Sequence, residues 1–356
     1  RNCNSYFWYR SLITAKHRSK FCSILTLMSR IGIPNIDKDF EALILSGMAE
    51  VEELIRNQVD GKYDFAIETS RHLIDAGGKR LRPLLTLISS HFGNPKAKGI
   101  IEAAVVCELT HLGTLYHDDV MDEAPLRRGV ESANSRWGNS VAILTGDYLF
   151  AKVSQLLADL GPEAVRLQAF TFERLVIGQI LETQGSSKGR TPLEHYLAVI
   201  SDKTGSLIAA SARYGAMISG ATGSVTDSLT NFGESMGIVF QLADDIIDIA
   251  SDSNESGKTP GTDLKEGVPT LVTLHVMQSN DPKDAELKEL LSGPIKSDQL
   301  VAETIKTLRN HKALEQSREM IAKYAAETQK HLSALPNGFA KDALISLSEA
   351  VVSRTS

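Results

Sequence analysis

The sequence predicts an all-α protein, a single-domain helical bundle. Three observations point there. Apolar residues recur at three- and four-residue steps from about Asp39 onward, alternating strand-like segments are almost absent, and the composition does not break after residue 31. Several of the segments are long and apolar enough to read as buried helices, which suggests a bundle closed around a deep central cavity.

The elements follow in chain order. Leu43, Ile44, Met48, Val51, Leu54 and Ile55 carry the helical step in the first segment. Phe65, Ile67, Leu73 and Ile74 carry a second, which stops at Gly77-Gly78. Pro83 sits in the first turn of a third helix, where its missing N–H is no loss. A long helix is expected from about Lys98 to Asp122, ending before Pro125. Further helices fit near 140–159, 162–184, 191–219 and 225–252, with Ser/Gly/Thr-rich loops at 184–191 and 251–263. The last third, 280–353, reads as short amphipathic helices.

The chain of 356 residues has a normal apolar content of 42% and a formal net charge of −6, which argues against nucleic acid as a partner. Cys3, Cys22 and Cys107 are scattered, with no zinc or disulfide spacing, which fits the reducing cytoplasm. No uninterrupted run reaches the roughly 18 to 20 apolar residues of a membrane span, so any membrane role is expected to be peripheral. Residues 1–30 stand apart. They begin with Arg1, carry Arg10, Lys16, Arg18, Lys20 and Arg30, and no acid precedes Asp37. They read as a non-native or upstream leader before Met28 in preference to a transit peptide, which would make the destination organellar.

Two aspartate-rich pentads carry the chemistry. Asp118, Asp119 and Asp122 lie in HDDVMD, and Asp244, Asp245 and Asp248 lie in QLADDIID. On a helix, positions i and i+4 share a face, so Asp118 pairs with Asp122 and Asp244 with Asp248. Like charges one turn apart repel, and a divalent cation removes that repulsion. Mg²⁺ is suited to the task, because it takes one or two carboxylates together with substrate phosphate oxygens. One such pentad alone is more often a solvated acidic face. Two with the same spacing, each preceded by apolar residues such as Leu112 and Leu115 or Val239 and Leu242, favour a binding role.

Basic residues stand beside both pentads: Arg127-Arg128, then Lys79, Arg80 and Arg82 after Gly77-Gly78, then Lys203, Lys258 and Lys265. Any one of these alone would read as a surface salt bridge. Together they suggest one diphosphate held through metal and another held by side chains alone. His111 lies two turns before Asp118 on the same helix, open to either a core or an anion-binding role.

GGKRLRP at 77–83, LYHDDVMDEAPLRRG at 115–129, KTGSL at 203–207, QLADDIID at 241–248 and KTPGTDLKEG at 258–267 together resemble the trans-isoprenyl diphosphate synthases, over about residues 35 to 350. Within that family the chain looks like the bacterial long-chain polyprenyl diphosphate synthases that make quinone side chains, with residues 31–356 as the synthase domain. The resemblance implies the isoprenoid synthase fold, usually a homodimer, with about three Mg²⁺ per site and isopentenyl and allylic diphosphates as substrates. It implies that Asp118, Asp122 and Asp244 bind metal and that Asp119, Asp245 and Asp248 support them. Arg127, Lys203, Thr204, Gln241 and Lys258 would contact the allylic diphosphate or the leaving pyrophosphate. Lys79, Arg82, His111 and Arg128 would hold isopentenyl diphosphate.

The growing tail should run beneath Asp118 along its helix. Short-chain members place an aromatic four or five residues before the first aspartate, where this chain has Thr114 and Gly113. Deeper turns carry Thr110, Val106, Cys107 and Ala103, a stretch of about 22 Å. The floor must then come from another helix, with Phe150, Leu156 and Leu157 as candidates. The expected product has about seven to ten isoprene units, and its greasiness suggests peripheral membrane contact for release. The alternatives are a shorter-chain farnesyl or geranylgeranyl diphosphate synthase, a terpene cyclase, which should lack the second pentad, and an accessory subunit, which should lack one pentad or the basic anchors.

Overall fold

The computed structural model describes residues 37–186, 189–250 and 260–353. Helix α1, Lys38–Val59, opens on Asp37, whose carboxylate accepts the backbone N–H of Asp39 and Phe40 at 3.1 and 3.0 Å. It buries Phe40, Ile44, Met48, Val51, Ile55 and Val59 along one stripe. Helices α2, Asp64–Asp75, and α3, Leu81–Ser90, follow, and Gly77 and Gly78 stand between them as expected. Helix α4, Ile100–Met121, ends in the first pentad.

The strands β1, Leu126–Arg127, and β2, Val130–Glu131, form a small antiparallel hairpin that the sequence did not announce. Arg128 and Gly129 turn it with positive φ at both positions, the geometry a two-residue hairpin needs. The short α5, Ala133–Trp137, leads into α6, Asn139–Leu160, and α7, Pro162–Gln184.

The single helix expected over 191–219 is instead three pieces. They are α8, Pro192–Ile200, a π-turn at Ser201–Gly205, and α9, Ser206–Ser219. Helix α10, Gly223–Ala250, carries the second pentad. The expected loop to residue 263 already holds the start of a short helix, α11, Thr262–Glu266. Helices α12, Leu271–Gln278, α13, Ala285–Leu290, α14, Asp298–Arg309, α15, Lys312–Ser333, and α16, Phe339–Ser353, complete the described chain.

One hydrophobic core runs through these helices, from Phe40 to Val351. Helices α3, α4 and α9 form its centre, α6 covers α4, and α10 packs on α9 and on α15. Contacts at the centre are close. A Cβ on Gly215 of α9 would meet the Thr86 carbonyl oxygen at 2.1 Å, and one on Gly233 of α10 would meet the Ala209 Cα at 2.8 Å. Cys107 is fully buried on α4, and burial pushes its thiol up to about 11.

Among the described residues α6 is long and apolar enough to cross a membrane by length and composition alone, which corrects the expectation that no segment would be. Asp147 and Lys152 interrupt its apolar run without undoing its average. One face of α6 packs on α4, and Ile143 and Leu144 lie exposed on it. Residues 1–30 and Lys258 lie outside the described residues.

Candidate active site

The last turn of α4 presents Asp118, and Asp122 caps that helix, its N–H donating to the Asp118 carbonyl at 2.8 Å. Burial pushes the Asp118 carboxyl up to about 6; Lys203 and Arg127 oppose the shift, while Asp122 and Glu182 reinforce it. Burial raises Asp122 as well, with Lys203 opposing and Glu182 adding.

The middle residue of the pentad has another role. Asp119 is fully buried and faces inward, where its Oδ1 accepts both the Nε and an Nη of Arg127 at 2.6 Å. The β1–β2 hairpin is what turns Arg127 back toward it. The other oxygen, Asp119 Oδ2, is buried with no hydrogen-bond partner among the described residues.

The second pentad repeats this division. Asp245 is buried, and its Oδ2 accepts the Tyr196 hydroxyl and the Leu271 N–H, the latter at 3.1 Å. Its Oδ1 accepts the Gln241 amide at 3.2 Å, and Gln241 Oε1 in turn accepts the Thr204 hydroxyl at 3.3 Å. Burial pushes Asp245 up to about 6 against these bonds. Asp248 caps the start of the α11 segment, its Oδ2 accepting the Gly261 N–H at 3.1 Å. Asp244 stands 4.0 Å from the Lys79 ammonium, which also lies over the Phe240 ring at 4.9 Å. Lys79, expected beside isopentenyl diphosphate, thus reaches the second pentad.

Two acids the sequence reading missed join the pentads. Glu182, near the end of α7, pairs with Lys203. Glu266, on α11, is raised first by its own burial, then by Asp122, with Asp248 and Glu182 adding and Arg127 opposing. One carboxyl that feels both pentads puts the two acidic faces around a common space. Glu266 lies inside the quoted run KTPGTDLKEG and could have been weighed there. Glu182 had only its place on the helix before a loop.

A separate basic cluster gathers two to three turns back along α4, near the middle of the helix. His111, Arg82 and Arg128 meet around Glu108, which is 1% exposed. Glu108 accepts Arg80 Nη1 at 2.8 Å and stands 3.9 Å from Arg128. Arg128 also donates to the carbonyls of Leu73, at 2.9 Å, and Gly77. Both guanidiniums crowd Gly78, where a Cβ would lie 2.9 Å from each, so only glycine fits.

Burial and then Arg82, Arg128, Arg80 and Arg127 hold His111 well below the usual histidine range, so it is neutral. Burial pushes Arg128 down to about 10. The Nε of Arg82 is buried with no hydrogen-bond partner among the described residues. Glu108 was also missed, because a lone Glu in a helical stretch carries no signal until its neighbours in space are known.

On the tail side, Thr110 accepts the Gln168 amide at 2.8 Å, joining α4 to α7. Phe150 of α6 covers Gly113, with ring carbons 2.8 and 2.9 Å from where a Cβ would stand. The same ring meets His117 edge-on at 5.6 Å and Phe172 at 4.8 Å. Thr114 is half-buried and donates to the His111 carbonyl at 2.8 Å.

The donor set fits a divalent cation. Among the described residues no three carboxylates, imidazoles or thiols converge into a cage of their own. The crowded carboxylates of Asp118 and Asp122, each raised by burial and by neighbouring acids, leave a site that favours a divalent cation shared with phosphate oxygens.

A family model described as Polyprenyl synthetase matches residues 65–308. A nonaprenyl diphosphate synthase of Mycobacterium tuberculosis is 46% identical over 91% of this chain and 97% of its own length. The crystal structure of a geranylgeranyl pyrophosphate synthase from Corynebacterium glutamicum, complexed with calcium and isoprenyl diphosphate, superposes with a TM-score of 0.81 at 42% identity, covering 90% of this chain and 99% of that one. A decaprenyl diphosphate synthase from Rhodobacter capsulatus gives a TM-score of 0.81 at 31% identity, over 89% and 99%.

Proposed function

The chain belongs to the polyprenyl synthetase family, and from that premise we propose that it joins isopentenyl diphosphate head to tail to an allylic diphosphate, building a long all-trans polyprenyl diphosphate. One observation carries the assignment of two diphosphates: the site has two chemically different halves. One half sets acids against Lys203 and Arg127. The other gathers Arg82, Arg128 and His111 around Glu108, with a buried guanidinium nitrogen open to an acceptor.

Asp118 and Asp122 would hold Mg²⁺ on one side and Asp244 on the other, neutralising charge on the diphosphate as it departs. The protein's own groups do the rest. Lys203, Thr204 and Arg127 bind the allylic diphosphate oxygens and stabilise the negative charge that develops there as the C–O bond breaks. Arg82 and Arg128 fix the isopentenyl diphosphate, and neutral His111 donates an N–H without adding a charge that would repel the guanidiniums. The isopentenyl double bond then attacks the allylic cation, a proton is lost, and the departing pyrophosphate is positioned to accept it. Exclusion of water keeps the cation from being quenched.

For product length we favour about seven to ten units, supported by the nonaprenyl and decaprenyl relatives and by the small side chains below Asp118. A shorter product is the second reading, favoured by the Phe150 ring that covers Gly113 and by the similar geranylgeranyl synthase. The apolar face of α6 and α7, where Leu144, Phe170, Ile177 and Ile180 lie exposed, is assigned to a second copy of the chain.

Incubating the protein with radiolabelled isopentenyl diphosphate, an allylic primer and Mg²⁺, then separating the dephosphorylated products, tests the whole reading. A ladder ending at seven to ten units is expected. A ladder stopping at four units sinks the long-chain reading, and no incorporation with any primer sinks the synthase reading.

A further inference from the structure

The π-turn at Ser201–Gly205 holds both Lys203 and Thr204, and its i→i+5 bond runs from the Ser206 N–H to the Ser201 carbonyl. Such turns are rare, and the register of their side chains depends on the turn keeping its shape. Two glycines clamp it from either side. A Cβ on Gly178 of α7 would lie 2.7 Å from the Lys203 nitrogen, and one on Gly237 of α10 would lie 2.6 Å from the Gly205 Cα.

One turn before Gly178 stands Arg174. Its Nε donates to Asp202 at 2.7 Å, inside the π-turn. Its two Nη atoms fork onto Glu234 of α10 at 2.7 and 3.3 Å, and Nη2 reaches Ser201 Oγ at 3.1 Å. Ser201 Oγ donates to Glu234 at 2.9 Å and closes the ring. Along α7, Arg174, Gly178 and Glu182 follow at four-residue steps on one face, so the clamp lies two turns, about 12 Å, from the carboxylate that meets Lys203. Arg174 therefore bonds to the turn itself, through Asp202 and Ser201, and stands two helical turns from the Glu182–Lys203 pair.

We propose that Arg174 is a positioning residue: by bridging Asp202 and Glu234 it locks the π-turn between α7 and α10, so that Lys203 and Thr204 face the allylic diphosphate. The inference rests on the synthase reading of this site. A planar fork that meets two carboxylates at once is a task for Arg, and Lys, a point charge, meets one.

The test compares Arg174→Lys, Arg174→Met, and the neutral triple Arg174→Met with Asp202→Asn and Glu234→Gln. The triple avoids leaving two carboxylates facing each other without a cation. Each is assayed for the KM of both substrates, for binding of inorganic pyrophosphate with Mg²⁺ by calorimetry, and for cooperative melting. The expected result, in variants that melt cooperatively, is a roughly tenfold rise in allylic KM and a similar loss of pyrophosphate affinity. The isopentenyl KM should stay within about twofold, since its anchors lie on other elements. A well-folded variant with unchanged allylic KM overturns the proposal, and so does an equal rise in both KM values, the mark of a merely structural role. Wild-type protein that incorporates no isopentenyl unit overturns the synthase reading itself, and this inference with it.

Discussion

On the proposed path of the growing tail beneath Asp118, Phe150 is the ring that stands in the way. It covers Gly113, five residues before Asp118 and so about 7.5 Å along the helix. That is close to the reach of one or two isoprene units, so any longer product must push the ring into another rotamer. The displaced ring loses its edge-on contact with His117 and its contact with Phe172. Aromatic pairs of this kind are worth about 0.5–1.5 kcal/mol each, so the detour costs about 1–3 kcal/mol, roughly 5- to 160-fold in the rate of steps that pass it. Phe150→Ala should remove this barrier. In a time-resolved product ladder, released short intermediates should fall by about tenfold relative to long product. The ring is only half-buried, so the stability loss should be about 2–3 kcal/mol, below the usual range for a fully buried Phe→Ala. Gly113→Phe should act in reverse and shorten the product, because two rings cannot share the space. An unchanged ladder in both variants would refute the argument that the tail passes here.

Four further outcomes are expected. Asp118 is about half protonated near pH 6 and ionised by pH 8, so binding of Mg²⁺-pyrophosphate at pH 6 should release about half a proton more in wild type than in Asp118→Asn, with no difference at pH 8. Calorimetry in buffers of different ionisation enthalpy reads this, and equal release in both proteins at pH 6 would count against it. The sign for folding is the opposite of a salt-bridged carboxylate: a raised folded pKa means that metal-free stability should fall as pH rises from about 4 to about 6. Glu108→Ala strands Arg80, Arg82 and Arg128 without their shared carboxylate and should cost about 3–5 kcal/mol by denaturant unfolding; a loss under 1 kcal/mol would show that the cluster does not depend on it. On the proposed pairing of two copies through α6 and α7, Ile177→Glu should shift sedimentation to the monomer, and an unchanged sedimentation coefficient would count against that face as the interface.

Much of this was legible in the residues. The apolar step fixed α6, α7 and α10 to within a residue or two, because each buries a stripe at helical spacing, while α4 is buried all round from Ala103 to Thr110 and showed by its length between Gly99 and Pro125. The spacing of the pentads put Asp118 beside Asp122 and Asp244 beside Asp248, and the structure buries Asp119 and Asp245 behind them, bonded to Arg127 and to Tyr196, Gln241 and Leu271. What escaped was set by contacts distant in sequence. The π-turn breaks a segment that looks like one helix, since the glycines that press on it, Gly178 and Gly237, sit on two other helices. The β1–β2 hairpin is too short for any alternation to show. Glu108, Glu182 and Glu266 gain their roles from neighbours brought in by the fold.

Cys107 has a practical consequence. Its thiol has no exposed surface, and a shift to about 11 leaves very little of it as thiolate at neutral pH. A thiol reagent can reach it only when α3, α4 and α9 part. Labelling at this one residue, followed by peptide mass so that Cys3 and Cys22 are read separately, would therefore time the opening of the bundle. Adding substrate and watching that clock slow would measure, from the inside of the molecule, how firmly a bound diphosphate holds the helices together.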